Sequence, residues 1–151
     1  MTSPPKSRRW SVSSGGGRWL VVSGQKMSIQ SYRQLIAWQK AMELVKLVYE
    51  MSDDFPADER FGLTSQIRKA VVSIPSNIAE GQGRNSTKEF INHLSIAYGS
   101  LMETETQTLV AEMRNYSTPE KRGSVMEKSS EVGRLINGLS NSLGRQTRPN
   151  R

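Results

Sequence analysis

The sequence predicts an all-α protein, an antiparallel four-helix bundle with its helices in up-down-up-down order. Apolar residues between residues 31 and 143 recur at intervals of three and four, which is the period of an amphipathic helix. Residues that start and stop helices divide this region into four segments with short connections, so consecutive helices run antiparallel. No apolar run approaches the ~20 residues that a membrane helix needs. We therefore expect no membrane contact.

The bundle is expected at residues 29–143, between two segments that lack a core-forming pattern. Residues 1–28 are predicted to be a disordered basic leader rich in Ser, Gly and Pro, and residues 144–151 a disordered basic tail. Such compositions bury too little apolar surface to offset the entropy lost on ordering. Met27 is an alternative start of the protein, which would make the leader upstream sequence.

The leader contains a short repeat. Arg9–Gly15 returns nine residues later as Arg18–Gly24, with five of seven positions identical. Two copies are too few for a repeat fold. The functional alternative to disorder is a basic arm whose Trp10 and Trp19 stack on a nucleic-acid single strand.

The first helix, expected between Ser31 and Ser52, is apolar over an unusually wide arc. Two neighbouring stripes cover roughly 200° of its circumference, whereas a surface helix needs only about 100°. Such a helix is expected to contact more than its neighbours in one bundle, so it predicts a subunit interface. The stripes are Leu35, Trp38, Met42, Val45 and Tyr49, and Ala37, Ala41, Leu44, Val48 and Met51.

The second helix is expected to begin near Pro56–Glu59 and to end at Gly81 or Gly83. Pro75 lies inside it and removes one hydrogen bond at a cost of ~3 kcal/mol, so we expect a kink there. From residue 60 to residue 88 the local charge is +4, because only Glu80 opposes five basic residues. Those five are Arg60, Arg68, Lys69, Arg84 and Lys88.

The third helix opens with the capping box Ser86–Glu89 and continues to about Tyr116. Glu105 and Glu112 fall in the middle of its apolar stripe, and an unpaired buried carboxylate is costly. We expect both to have a structural role, as we do for the interior Pro75, with one of the two carboxylates paired to Arg60 or Arg68 of the second helix. The alternative is a general acid and base pair.

The fourth helix is expected to start at Thr118 with Pro119 in its first turn. Its apolar stripe includes Val125, Val132, Leu135 or Ile136, Leu139 and Leu143. Three glycines, Gly123, Gly133 and Gly138, each cost about 1 kcal/mol relative to Ala. This is predicted to be the least stable helix.

The charge and the residue types argue against an enzyme. The net charge of +7 belongs to the chain ends, since residues 27–143 hold 13 basic and 14 acidic side chains. The chain has no cysteine, which excludes thiolate metal sites and is typical of a cytoplasmic protein. Its single histidine, His93, follows Glu89 by four residues, whereas di-iron bundles need two Glu-x-x-His motifs. We expect no catalysis, no metal and no cofactor.

The turn after the second helix offers a phosphate-binding signal. Gly81–Arg84 is not a phosphate loop, because no strand precedes it and no Gly-Lys-Ser/Thr follows. Arg84 and Lys88 nevertheless lie at a helix start, where unpaired backbone amides favour anions.

Three stretches of the sequence resemble a known family. Tyr32–Met42 resembles its opening helix, Phe61–Gly81 its signature, and Lys88–Gln107 continues the match. The family comprises small bacterial four-helix-bundle proteins found in intervening sequences of 23S rRNA genes, and it also includes the accessory variability protein of diversity-generating retroelements. The resemblance covers about residues 30–143.

This resemblance implies a bundle that assembles as a ring-like homopentamer, without catalysis or cofactor. For the retroelement members it implies a basic surface that engages RNA or DNA and a reverse transcriptase. The glycine-rich fourth helix departs from the family pattern. The matching basic positions are Arg68, Lys69, Arg84 and Lys88, with Arg33 and Lys40 from the first helix.

Two functions follow from these observations. The first is RNA binding by an oligomer through phosphate contacts from the second helix and the turn after it. The alternative is a protein-interaction scaffold, for example accessory to a reverse transcriptase, with no intrinsic nucleic-acid binding. In that case the basic second helix pairs with the acidic third helix of the same or a neighbouring subunit.

Overall fold

Four long helices form a closed bundle in the computed structural model, which describes residues 9–12, 18–22, 25–28 and 31–146. Each helix contacts the next in the chain, and the last contacts the first. The predicted four-helix architecture is confirmed. The helices are α1 (Ile36–Ser52), α2 (Leu63–Gly83), α3 (Thr87–Met113) and α4 (Pro119–Gln146).

Contacts between α2 and α3 show that these two helices run antiparallel. Ser73 of α2 meets Ser100 of α3 with a 2.9 Å contact between hydroxyls. Further along α2, Asn77 lies 3.2 Å from His93, which precedes Ser100 in α3. No helix in the described part of the chain has the length and hydrophobicity needed to cross a membrane.

Three short strands lie within the leader, where we predicted disorder. They are β1 (Arg9–Val12), β2 (Arg18–Val22) and β3 (Gln25–Ser28), in an antiparallel sheet of order β1-β2-β3. The two copies of the repeat form β1 and β2, and β1 lies next to α4. Trp and Val in these segments favour strands. The disorder predicted for the leader as a whole stays a prediction.

The first two helices begin later than predicted because short 3₁₀ helices precede them. Tyr32–Gln34 forms the first, and the Ser31 hydroxyl caps it by accepting from the Arg33 amide at 3.2 Å. Ala57–Glu59 forms the second. The carboxylate of Glu59 then accepts from the Leu63 amide at 2.8 Å and caps the start of α2.

Helix α2 continues across the buried Pro75 to Gly83. The predicted kink at Pro75 stays a prediction. Gly81 lies inside the helix and is buried against α3.

The predicted starts of α3 and α4 are confirmed. Ser86 caps α3 by accepting from the Glu89 amide at 3.3 Å, and Thr118 accepts from the Lys121 amide at 3.3 Å at the start of α4. The turn between them contains residues with positive φ, and the nearly buried guanidinium of Arg122 donates to the Tyr116 carbonyl at 2.9 Å.

Only half of the wide apolar arc of α1 faces the core. The stripe of Ala37, Ala41, Leu44, Val48 and Met51 is buried, whereas Met42 and Tyr49 of the other stripe remain 43% and 40% exposed. The largest buried side chains that the other helices contribute to the core are Ile67, Ile74, Ile78, Phe90, Leu94, Leu101, Ile136 and Leu143.

The buried face of α3 differs from the prediction. Thr104, Gln107 and Thr108 face the core, and Glu112 is exposed. The expectation of a buried Glu112 is therefore wrong. The core-facing hydroxyls of this helix are satisfied internally, for example by Thr108 donating to the Thr104 carbonyl at 2.8 Å, so polar residues can occupy the buried stripe.

Glu105 is half-buried, as the prediction of a structural role requires, but its partner is different. Its carboxylate accepts from the Ser129 hydroxyl of α4 at 2.5 Å. Arg68 pairs with Asp53 at 2.8 Å instead. The predicted pairing of Glu105 or Glu112 with Arg60 or Arg68 is wrong, because Glu105 faces α4 and not α2.

Charged side chains join α1 to α4. Lys128 donates to Glu43 at 2.8 Å and to Glu131 at 2.9 Å, and Lys40 pairs with Glu43 at 3.2 Å. The hydrogen bond from Lys128, and then that from Lys40, lowers the pKa of Glu43. The hydrogen bond to Glu43 likewise raises the pKa of Lys128. The carboxylate of Glu43 is thus engaged with α4.

Candidate nucleic-acid interface

A long depression follows the outer side of the contact between α1 and α2 and consists of two adjoining grooves. One, the apolar groove, is a cavity of about 300 Å³. It is lined by Tyr32, Trp38, Met42, Val45, Val72, Pro75, Ser76 and Ala79. The other, the basic groove, has a volume of about 660 Å³. It is lined by Tyr49, Arg60, Phe61, Thr64, Ser65, Arg68, Lys69, Val72, Ser73 and Ser76.

Arg68 is held in place at the wall of the basic groove. Its Nε donates to the Ser52 hydroxyl and its Nη2 to the Asp53 carboxylate, both at 2.8 Å. Its guanidinium carbon lies 4.7 Å from the centre of the Tyr49 ring, within the range of a cation–π interaction. Arg68 therefore joins the end of α1 to α2, and Asp53 offsets part of its charge.

The other two cations of the basic groove have no acidic partner in the part of the chain that the structure describes. Arg60 and Lys69 are exposed and form no ion pair within residues 31–146. No carboxylate is among the described residues that line this groove. The groove therefore has a positive potential, to which Arg60 and Lys69 contribute most.

Phe61 projects beside these cations and is 89% exposed. The guanidinium carbon of Arg60 lies 5.5 Å from the centre of its ring. Phe61 is positioned by the connection between the 3₁₀ helix and α2, where Glu59 caps the helix start. An aromatic ring and unpaired cations thus share one groove.

The six predicted binding residues do not form one cluster. Arg68 and Lys69 line the basic groove, whereas Arg84 and Lys88 lie beyond the far end of α2. At 1.5 Å per residue, the fifteen residues from Lys69 to Arg84 span about 22 Å of helix. The cations are therefore spread from α2 to the start of α3, and their role in binding stays a prediction.

Other contacts occupy several of these predicted residues. Arg84 pairs with Glu80 at 2.9 Å, and Lys40 pairs with Glu43. Arg33 lies 6.0 Å from the centre of the Tyr32 ring. Lys69 and Lys88 are exposed, and neither forms an ion pair in the described part of the chain.

Tyr49 and Phe61 are candidate site residues that the sequence did not predict. Tyr49 was assigned to an apolar stripe of the first helix, and Phe61 lay within the range predicted for the second helix. The available signal was an aromatic residue next to Arg60, directly before Gly62. The same connection also contains Phe55, which is buried, so the sequence alone does not show which aromatic side chain is exposed.

A metal centre finds no support in the part of the chain that the structure describes. No group of three or more His, Asp or Glu side chains there could hold a metal ion. His93 contacts the amide oxygen of Asn77 through Nδ1.

Comparison with known proteins identifies the family. The family model described as 23S rRNA-intervening sequence protein matches residues 33–138. The chain belongs to this family. The match includes α1, α2 and α3 and most of α4, so the predicted resemblance to these proteins is confirmed. The relation to retroelement accessory proteins stays a prediction.

A solved structure supports the same fold. A protein of unknown function from the S23 ribosomal protein family of Bacteroides thetaiotaomicron is 25% identical to this chain, with a TM-score of 0.65. The alignment covers 70% of this chain and 96% of that protein. No curated protein matches the sequence.

Proposed function

We propose that this family member is a non-enzymatic, oligomeric protein that binds RNA through phosphate contacts along α2 and the turn into α3. The observation that carries the proposal is a set of exposed cations on α2 and in the residues that flank its two ends. Arg60, Lys69 and Lys88 form no ion pair among the described residues. Cations with no acidic partner can exchange counterions for phosphates, which drives nucleic-acid association.

The distribution of acids supports the same proposal. Glu43 of α1 is engaged by Lys40 and Lys128, and Asp54 by Lys121 at 2.8 Å. The hydrogen bond from Lys121 lowers the pKa of Asp54. These carboxylates do not line the basic groove, so they do not neutralise its cations.

Self-association is the second part of the proposal. The apolar groove is formed by the half of the α1 arc that the bundle leaves partly exposed, together with Val72 and Pro75 of α2. Apolar side chains that are grouped and partly exposed on one face favour a protein contact at that face. A homopentamer, as the family resemblance implies, would bury this groove.

The alternative function is a protein-interaction scaffold. Among residues 31–146 no ion pair joins α2 to α3, so the form of this alternative in which the two helices pair within one subunit has no support. Exposed Ile96, Leu109 and Met113 on α3 favour a protein contact at that helix. A reverse transcriptase is a candidate partner for this surface.

Salt-dependent binding tests the RNA proposal. In the full chain, Lys69→Ala together with Lys88→Ala removes two phosphate contacts, and we expect a weaker affinity for a single-stranded RNA. The slope of log K against log salt should fall in magnitude by about 1.4, since each contact contributes about 0.7. Fluorescence anisotropy titrations at several salt concentrations measure both quantities.

The matched control is Lys46→Ala with Arg134→Ala. Both of these residues are exposed and form no ion pair within the described bundle. The control removes the same charge from α1 and α4 and should leave the slope unchanged. An equal loss in both double variants, or no loss in either, would contradict a phosphate site along α2.

A further inference from the structure

We infer that the basic groove is a stacking site for an unpaired base, so the protein selects single-stranded over double-stranded RNA. This inference rests on the proposed function and adds the class of RNA. It starts from Phe61, whose ring is almost fully exposed beside the guanidinium of Arg60. Aromatic side chains within a cationic groove are typical of proteins that bind single strands.

The walls of the groove provide an aromatic ring, on which a base can stack, and cations, which can bind a phosphate. Phe61 offers an exposed ring face, and Tyr49, on the α1 wall, has one face covered by Arg68 at 4.7 Å. Arg60 and Lys69, which lack an acidic partner in residues 31–146, supply positive charge next to the ring. A base stacked on Phe61 would therefore have its phosphate within the same cationic surface.

Polar side chains of α2 add hydrogen-bonding capacity. Thr64 and Ser65 line the groove, and neither side chain forms a hydrogen bond in the described part of the chain. A hydroxyl can both donate and accept, so it suits a phosphate oxygen or a base edge. Ser76, in contrast, is engaged with the Val72 carbonyl at 2.8 Å.

The groove is open to solvent and has a volume of about 660 Å³, which leaves room for a base stacked on Phe61. In a duplex the base faces are hidden in the stack, so a double strand can offer this groove only its phosphates. A single strand can offer both base faces and phosphates. The difference in affinity between single-stranded and double-stranded RNA should therefore depend on Phe61.

The test compares full-length wild type with Phe61→Ala on two RNA probes. One probe is a poly(U) oligonucleotide of about 16 nucleotides, within the site sizes of single-strand binding domains. The other is a duplex of the same length. We expect about tenfold weaker binding of poly(U) by Phe61→Ala, the loss of one stacked base, and duplex affinity within about twofold of wild type. Phe61→Trp should keep the wild-type preference.

The control is Met113→Ala, which removes an apolar side chain that is 77% exposed on α3, outside the groove. It should leave both affinities unchanged. A second readout is photocrosslinking of RNA that contains 4-thiouridine, which should label the tryptic peptide of residues 61–68. Equal losses on both probes, or a label confined to other peptides, would overturn the inference.

Two further outcomes separate this inference from the proposed function. If poly(U) binding depends on salt and on Lys69 and Lys88 but not on Phe61, the stacking site is wrong and the proposed phosphate contacts along α2 stand. If Phe61→Ala instead lowers the mass found by sedimentation, a second copy of the chain occupies the groove and the stacking site is also wrong. Absence of RNA binding by wild type overturns the proposed function itself.

Discussion

Gly81 sets the distance between α2 and α3. A Cβ atom at this position would lie 2.6 Å from the Cβ of His93 and 2.8 Å from the ring of Phe90. Neither neighbour can give way easily, because the His93 Cβ is fixed to its backbone and Phe90 is fully buried. The close approach requires a residue without a side chain. The sequence suggested a helix end here, since a single chain does not reveal which glycine faces a neighbouring helix.

Gly81→Ala should therefore destabilise the protein, although alanine is the better helix former. We expect a loss of about 1–3 kcal/mol in the free energy of unfolding, typical of an overpacked core. Gly83→Ala is the control, because a Cβ there meets no atom within 4 Å. Urea denaturation of both variants measures the effect, and equal stability of the two would contradict it.

At the scale of single elements, α4 contains glycines that differ in their surroundings. A Cβ at Gly123 or Gly138 would meet nothing within 4 Å, whereas a Cβ at Gly133 would lie 3.3 Å from the Leu101 side chain. The sequence identified these glycines as a weakness of α4. The sequence does not distinguish Gly133 from the other two glycines, because the distinction depends on which α3 side chains lie next to each glycine.

Gly123→Ala with Gly138→Ala should stabilise the protein by up to about 2 kcal/mol, since each substitution removes about 1 kcal/mol of unfavourable helix propensity. Gly133→Ala should gain less, because the Leu101 side chain has to shift. Thermal unfolding followed by circular dichroism compares the variants. A double variant no more stable than Gly133→Ala would show that α4 propensity does not limit stability.

Sequence periodicity predicts some features of the individual helices and not others. The four helices, the Ser86 and Thr118 caps and the buried stripe of α1 follow from residue type and spacing. The side of α3 that faces the core does not follow in the same way, because Thr104 is buried and Glu112 is exposed. A threonine whose hydroxyl donates to its own helix backbone can be buried in the core. The polarity of the residue therefore does not show whether it is buried or exposed.

For the whole molecule, the central prediction is assembly through the apolar groove. Met42 lies in that groove and is partly exposed, so Met42→Glu would place a carboxylate in the contact, where no Lys or Arg side chain among the described residues lines the groove to pair with it. We expect full-length wild type to sediment as an oligomer at micromolar concentration and Met42→Glu to associate at least about tenfold more weakly.

Lys46→Glu provides the control for that experiment, since it adds a carboxylate to α1 at an exposed position outside both grooves. Its mass should match that of wild type. A monomeric wild type would contradict assembly, and so would an unchanged mass for Met42→Glu. The sequence predicted an interface on α1 from the width of its arc, but only the packing of α2 shows which half of that arc remains available.

Val72 and Ser76 line both grooves, so the two surfaces are continuous along α2. If a neighbouring subunit fills the apolar groove, each basic groove opens beside a subunit boundary and recurs once per copy. A long RNA strand could then occupy several such grooves at once. Each additional groove would be engaged at the high effective concentration set by the first. Apparent affinity would rise steeply with strand length, and short oligonucleotides would report only the weak affinity of a single groove.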